Sequence, residues 1–488
     1  MRSRIIASMG LSSALILSAC ATPQGLAGIS APRAGFGTVE STTRAATGKD
    51  TVWLQSAAEV EANAKRVHGL THKKTISADT AVQVALLNNK GLQASYADLG
   101  LSAADVWQQT LQPNPTVSVG VLGVGAEGLG GYRSIEGTIA NNILALATRD
   151  RRLGLAEVRF RQAQLRAAEE TLRVAGETRR AWIEAVAAFE ASGLIREAQG
   201  TGNAASELAA RLGETGFLNK ADQAREHALY AELTGQHSQA QLAAELAKEA
   251  LTRQLGLWGS EVDYYVPDAL PQLPRTPSAR ARIEEEALTR RVDLTMARLE
   301  LDALARSKGL TQATRFITDL EIIAGVESER ELDAGIRENE TTPQADVEFD
   351  IPIFDSGKAR TRKAELAYMR AANQLAERAV NVRSEARSAY RAYTASHQIA
   401  RHYRDAVLPL RRTIEEEALL SYSGMITNTF ELLADIRLRL GSNLMEASAR
   451  RDFWLADANL VAAVYGGGAS AAAGGGGTNI AGDASAGH

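Results

Sequence analysis

Two stretches of the chain alternate strictly between apolar and acidic residues. In Asp346-Val347-Glu348-Phe349-Asp350-Ile351 and in Asp319-Leu320-Glu321-Ile322 every second side chain is apolar, which predicts β-strands with one apolar and one wet face. They sit in a predicted hairpin, residues 318–326 against 345–354, and an earlier hairpin is predicted over 116–124 and 134–145. Elsewhere the period is helical. Val158, Leu165 and Leu172 are spaced by sevens, and Leu433, Ile436, Leu440, Leu444 and Ala447 step by three or four. Residues 148–212 and 356–408 contain no proline, and the first of these runs predicts a helix about 100 Å long. Mean globular helices have about 11 to 12 residues, so such lengths mean a coiled coil or a tube.

The order helix, hairpin, very long helix, turn, long helix occurs twice. Ala85, Leu86, Leu92 and Leu99 recur 202 residues later as Ala287, Leu288, Leu294 and Leu301, whereas Ala156, Glu157 and Gly216 recur 208 later as Ala364, Glu365 and Gly424. The extra residues fall between Leu301 and Ala364, where a loop absorbs them. Two copies are too few for a solenoid, and they suggest a pseudo-symmetric unit. Four strands close neither a sandwich nor a transmembrane barrel alone, so the alternation calls for partner chains to complete the sheet. In a sandwich the apolar face meets a second sheet; in a barrel it meets lipid and the acids line a lumen.

Composition narrows the classes. The net charge of −4 gives no electrostatic reason to expect nucleic acid, and a single cysteine excludes a disulfide framework or a Cys-cluster metal site. No apolar run long enough to span a bilayer as a helix follows the first twenty residues. That cysteine, Cys20, closes Leu17-Ser18-Ala19-Cys20 after a basic start and a short apolar run, the layout of a secretory signal. The ending resembles the bacterial lipobox, in which the signal is cut before a cysteine that is then lipidated. With Ala21 next and no acidic retention residue, the lipobox implies outer-membrane anchoring. The Gly, Ala, Ser, Thr and Pro-rich residues 21–50 read as a tether or wrapping segment. The expected organisation is a signal peptide (1–19), an anchored wrapping segment (20–75), a first copy (76–257), a linker (258–277), a second copy (278–465) and a disordered Gly/Ala-rich tail (466–488).

Together these residues resemble the TolC-like outer-membrane efflux channels over residues 76–464. Besides the lipobox and the duplication, the match is carried by Val347-Glu348-Phe349-Asp350-Ile351-Pro352-Ile353-Phe354-Asp355-Ser356-Gly357-Lys358 before an Ala-rich helix, and by Tyr422-Ser423-Gly424 followed by Glu431-Leu432-Leu433. The resemblance implies a mainly α fold: a long α-helical coiled-coil barrel, with four strands per chain contributing to a trimeric twelve-stranded transmembrane β-barrel. It implies a homotrimer in outer-membrane lipid that extends into the periplasm. A periplasmic adaptor and an inner-membrane pump dock at the far end, with no cofactor and no catalysis. The first copy departs from the pattern, because its junction, residues 143–150, lacks the Asp-x-Gly element.

By the same resemblance Gly216, Tyr422 and Gly424 lie at helix-hairpin tips that contact the adaptor, with a plain helix–helix turn as the alternative. Candidate periplasmic gate acids are Asp222, Glu431 and Asp435, which read equally well as solvated helix-face acids. Asp319, Glu321, Glu348 and Asp350 face the lumen if the alternation is read correctly, giving a mildly cation-selective pore. The charged run 327–344 reads as an exposed extracellular loop. Gly123-Val124-Gly125-Ala126-Glu127-Gly128 matches a dinucleotide fingerprint literally but leads into a hairpin, not a helix. His68 and His72 share a helix face without an acid to complete a metal set. The chain therefore reads as a passive export duct for efflux or type I secretion; the rival is a periplasmic coiled-coil lipoprotein acting as scaffold or adaptor.

Overall fold

A computed structural model describes residues 28–122, 133–216, 218–317, 319–333, 336–350, 353–423 and 429–467. Cys20 and its lipobox, the glycine fingerprint, Gly424 and residues 468–488 lie outside these. The helices are α1 (Phe36–Thr47), α2 (Ala57–Thr71), α3 (Ala78–Asn88), α4 (Lys90–Thr110), α5 (Ile143–Ala147), α6 (Arg149–Glu214), α7 (Lys220–Leu255), α8 (Ile283–Arg290), α9 (Val292–Ala313), α10 (Lys358–His402), α11 (Leu408–Ser423) and α12 (Thr429–Tyr465). The strands are β1 (Thr116–Leu122), β2 (Arg133–Asn142), β3 (Leu320–Asp333) and β4 (Ile336–Phe349). No described helix is long and apolar enough to cross a membrane.

The chain forms two compact units. One comprises Met1–Gly35, Asp98–Gln164 and Thr295–Glu377; the other comprises Phe36–Ala97, Leu165–Leu294 and Arg378–His488. Each unit takes residues from both sequence copies. The first unit holds all four strands in one antiparallel sheet of order β1-β2-β3-β4, which joins the two hairpins through β2 and β3. Beside it Leu155 and Val158 of α6 pack on Leu299 and Ala303 of α9.

The second unit is helical. Ala386, Tyr393 and Ala400 recur every seven residues along α10 and bury against Ala449, Phe453, Ala456 and Leu460 of α12. Seven-residue spacing keeps one stripe facing its neighbour over several turns, and alanine lets the backbones approach closely. The duplication is visible in backbone angles. Asn89, between α3 and α4, has φ −62° and ψ 120°, and Arg291, between α8 and α9, has φ −71° and ψ 121°. Different side chains hold the two breaks: Asn89 Oδ1 accepts from Leu92 N, whereas Asp293 Oδ1 accepts from both Leu294 N and Arg291 Nε.

Two expectations need correction. Residues 143–145 are helical, not strand, because Asn142 Oδ1 caps α5 by accepting from Ala145 N at 2.7 Å. Most of the run 327–344 is strand: β3 continues to Asp333 and β4 begins at Ile336, in register throughout. The wrapping segment contains α1, whose Phe36 and Val39 are buried; Phe36 packs edge-on to Tyr96 at 4.9 Å, and the Tyr96 hydroxyl bonds Thr51 and Thr171. The linker is packed, with Tyr264 fully buried and Thr75 bridged to Tyr265. The helical run of the second copy continues past Leu408. A π-turn at Tyr403–Val407 leads into α11, where Pro409 stands in the first turn and its missing N–H is tolerated.

Gly357, in the Asp-x-Gly element, has φ +69°, and a Cβ there would lie 2.9 Å from Arg315 O. Its N–H donates to Asp355 Oδ1 at 2.9 Å. Gly357→Ala therefore combines left-handed strain with a backbone clash, an expected loss of about 2 kcal/mol or more. Denaturant titration of the variant checks this, and a change below about 0.5 kcal/mol would contradict it.

Candidate functional site

The sheet has two chemically opposite faces, fixed by the register. Thr116 pairs Ala140, Gly120 pairs Glu136, Glu136 pairs Glu327 and Glu327 pairs Thr342, and directly opposed residues share a face. One face carries Thr116, Ser118, Ser134, Glu136, Thr138, Glu321, Glu327, Glu329, Thr342, Gln344, Asp346 and Glu348, with Leu122, Ala140 and Ile323 among them. The other carries Val117, Val119, Val121, Ile135, Ile139, Ile322, Val326, Val347 and Phe349. Along β3 the polar-face residues from Glu321 to Glu329 are half-buried while their neighbours from Ile322 to Arg330 are exposed, so the polar side chains are the more sheltered set.

The polar face places carboxylates against each other. Glu136 opposes Glu327, Glu321 opposes Glu348, and Glu329 opposes Glu340. Glu327 accepts from Ser134 Oγ at 2.6 Å and from Gln344 Nε2 at 2.7 Å. Among the described residues no lysine or arginine stands on this face. Like charges directly opposed across strands destabilise a sheet, and a dry interior would multiply that cost. Such a face suits contact with water and mobile cations better than packing against a second apolar sheet.

The other face is uncovered and mainly apolar as far as Val326, turning polar at Ser328 and Arg330. Val117 is 66% exposed, Val119 72%, Ile135 53% and Val347 62%. Nine such side chains on a two-hairpin sheet have the chemistry of a surface that faces lipid. The outer edges of β1 and β4 pair with no strand among the described residues, and open edges are templates for further strands.

The expected lumen residues divide accordingly. Glu321 and Glu348 lie on the polar face as an opposed pair. Asp319 precedes β3 and accepts from Asn142 Nδ2 at 2.6 Å, tying the two hairpins at their base. Asp350 is exposed just past the end of β4. The pattern that identified these four also carries Glu136, Glu327 and Asp346. Glu136 escaped notice because β2 alternates with Gly, Thr and Ala, too weak a signal to assign a face.

In the second unit, Gly216 stands at the reversal between α6 and α7 with φ +78°, and its N–H donates to Gly213 O at 3.2 Å. Leu218 N closes the turn on Leu212 O, and Asn219 caps α7 by accepting from Asp222 N at 2.9 Å. The Asp222 carboxylate accepts from Asn219 Nδ2 at 2.6 Å and from Arg225, so it closes a capping loop with its own helix. Tyr422 belongs to the end of α11 and Glu431 to the start of α12, with side chains outside the described residues. Asp435 is half-buried on α12.

Buried charge in the second unit is concentrated around α12. Arg450 pairs with Glu190 and, at 3.3 Å, with Glu446, and the three side chains are 10%, 11% and 12% exposed. Burial pushes Glu446 up despite Arg450, with Glu190 adding to the rise. Burial likewise raises Glu169 and Asp457. A carboxyl raised in the fold bears a cost when ionised there, and that cost disappears as pH falls through the folded value. Stability from these groups therefore grows as pH falls from neutral toward the ordinary carboxylate range, so the thermal midpoint of this unit is expected to rise when pH drops from 7.5 to 5.5. A midpoint falling over that window would contradict the assignment. His68 and His72 stack at 4.3 Å, and no described group of three or more His, Cys, Asp or Glu forms a metal cluster.

No family model and no curated protein sequence matches the chain, but solved structures do. The Campylobacter jejuni CmeC outer membrane channel is 14% identical, with 80% of this chain and 86% of that one covered at a TM-score of 0.66. The outer membrane protein VceC of Vibrio cholerae is 16% identical over 80% and 96%, at 0.63. The open-state Neisseria gonorrhoeae MtrE outer membrane channel is 16% identical over 79% and 88%, at 0.59. The chain has the fold of these outer-membrane channels, mainly helical with one small sheet. That fold is the TolC-like fold.

Proposed function

We propose that the protein is the outer-membrane channel of a tripartite efflux or type I secretion system, conducting substrates passively from a periplasm-spanning pump assembly to the exterior. Three copies join their β1 and β4 edges into a twelve-stranded barrel, with the carboxylate face inward and the valine and isoleucine face toward lipid. Cys20 carries the lipid anchor in the periplasmic leaflet. The tips at Gly216 and at Tyr422 and Gly424 meet a periplasmic adaptor, and Asp222, Glu431 and Asp435 lie near that end as gate candidates. The observation that carries this reading is the two-faced sheet with both edges open. A scaffold or adaptor lipoprotein needs no apolar alternation in two separated hairpins.

Planar-bilayer recording tests it. Purified protein is expected to conduct with a preference for cations, and Glu321→Gln with Glu348→Gln to lower that preference several-fold by removing six lumen charges from a trimer. Anion preference in the unmodified channel would overturn the lumen assignment, and absence of conductance would overturn the duct.

A further inference from the structure

We infer that the cavity beneath the first hairpin binds the anionic phosphate headgroup of a phospholipid; this rests on the channel reading above, which puts that end of the sheet at a membrane boundary. The cavity is about 670 Å³, a volume suited to a headgroup with its glycerol. Gln108, Gln112, Asn114, Arg149 and Arg152 supply its polar lining.

Its two arginines are uncompensated. Arg149 Nη2 donates to Thr110 O at 3.2 Å, but its Nε is buried with no acceptor. Arg152 donates to Ala145 O. Among the described residues neither guanidinium forms an ion pair, although acid–base pairs are frequent elsewhere on the helices of this unit, as between Arg161 and Glu157 or Arg306 and Asp302. A buried N–H without an acceptor is costly, and a phosphate oxygen satisfies it with a charge-assisted bond to a planar fork.

The second copy repeats the feature in weaker form. A cavity of about 350 Å³ lies at the matching place, lined by Thr311, Thr314, Arg360 and Lys363. Arg360 stands 208 residues after Arg152, the offset of the duplication, but it pairs with Asp355 at 3.4 Å. The first copy lacks that aspartate, so its charge is left for a ligand. Position supplies the ligand class. Both hairpins leave and rejoin their helices at this one end of the sheet, at Thr116, Asn142, Leu320 and Phe349. Leu111 and Leu146 are exposed beside the arginines, the mix of apolar and cationic side chains that suits a lipid–water boundary.

The test uses the full-length protein, delipidated and held in phosphatidylcholine micelles. Phosphatidylglycerol is titrated in, and bound lipid is counted by native mass measurement. Phosphatidylglycerol should be retained in preference to phosphatidylcholine, and Arg149→Gln with Arg152→Gln should weaken that retention about thirtyfold. The double lysine variant should keep most of it, which a merely structural role would not predict. Equal retention of the two lipids, or unchanged phosphatidylglycerol binding in the glutamine variant, would overturn the site. Two other results would also overturn it: saturation by millimolar inorganic phosphate, which points to a free anion, and collapse of the variant to single chains, which points to a neighbouring subunit as occupant. Conductance in pure phosphatidylcholine bilayers reads the channel separately, so a conducting protein without lipid preference loses only this proposal.

Discussion

Val326→Arg should abolish assembly in the outer membrane, while Thr342→Arg should leave it intact. The two positions are neighbours: Val326 pairs with Pro343, and Thr342 with Glu327. They differ in face. Val326 is 50% exposed midway along β3, on the side that carries Ile322 and Val347, where an arginine enters hydrocarbon at about 2–4 kcal/mol per chain. A closed trimer bears that cost three times over, enough to empty the assembled state. Thr342 stands among Glu136, Glu327 and Gln344, where an arginine gains carboxylate partners in water. The readout is the fraction of each variant in the outer-membrane pellet and its mass in detergent. Normal assembly of Val326→Arg would show that this face never meets lipid.

The second large effect lies in the helical unit. Arg450→Met should destabilise it by about 3–5 kcal/mol at neutral pH, because Glu190 and Glu446 stay buried without their cation. Methionine fills much of the arginine's volume, so the loss reports charge more than a cavity. The sign of the pH dependence separates the two. Glu446 is already raised by burial; without Arg450 it rises further, and its protonation as pH falls relieves the repulsion between the carboxylates. The penalty should therefore shrink as pH falls, whereas a packing defect would not change. Thermal unfolding of both proteins at pH 7.5 and 5 decides, and a pH-independent loss would contradict the electrostatic account.

Much of this architecture could be read in the residues, and the gaps have physical causes. The acids of Glu321 and Glu348 showed because their neighbours Ile322 and Val347 are apolar, so the period of two was plain. Past Val326 the outward positions become Ser328 and Arg330, the contrast vanishes, and β3 read as a loop although register with β4 holds it as strand. Helix α1 was hidden by its composition: Gly37, Ser41 and several threonines disguise a stripe of Phe36, Val39 and Thr43 that only burial reveals. The tip at Gly216 was legible because a long helix must reverse somewhere and a glycine there tolerates the left-handed backbone. The unpaired Arg149 was not legible, since being unpaired is a property of packing. Compact units drawn from both copies were equally out of reach of a linear repeat, which records ancestry of segments and not which of them pack together.

The central claim is that three chains share one barrel, and the most direct measurement is the protein mass of the complex extracted from purified outer membranes, with detergent subtracted. The account predicts three times the mature chain, held together after the lipid anchor is removed. A single chain that washes off the membrane without its anchor would contradict it and leave a tethered periplasmic scaffold.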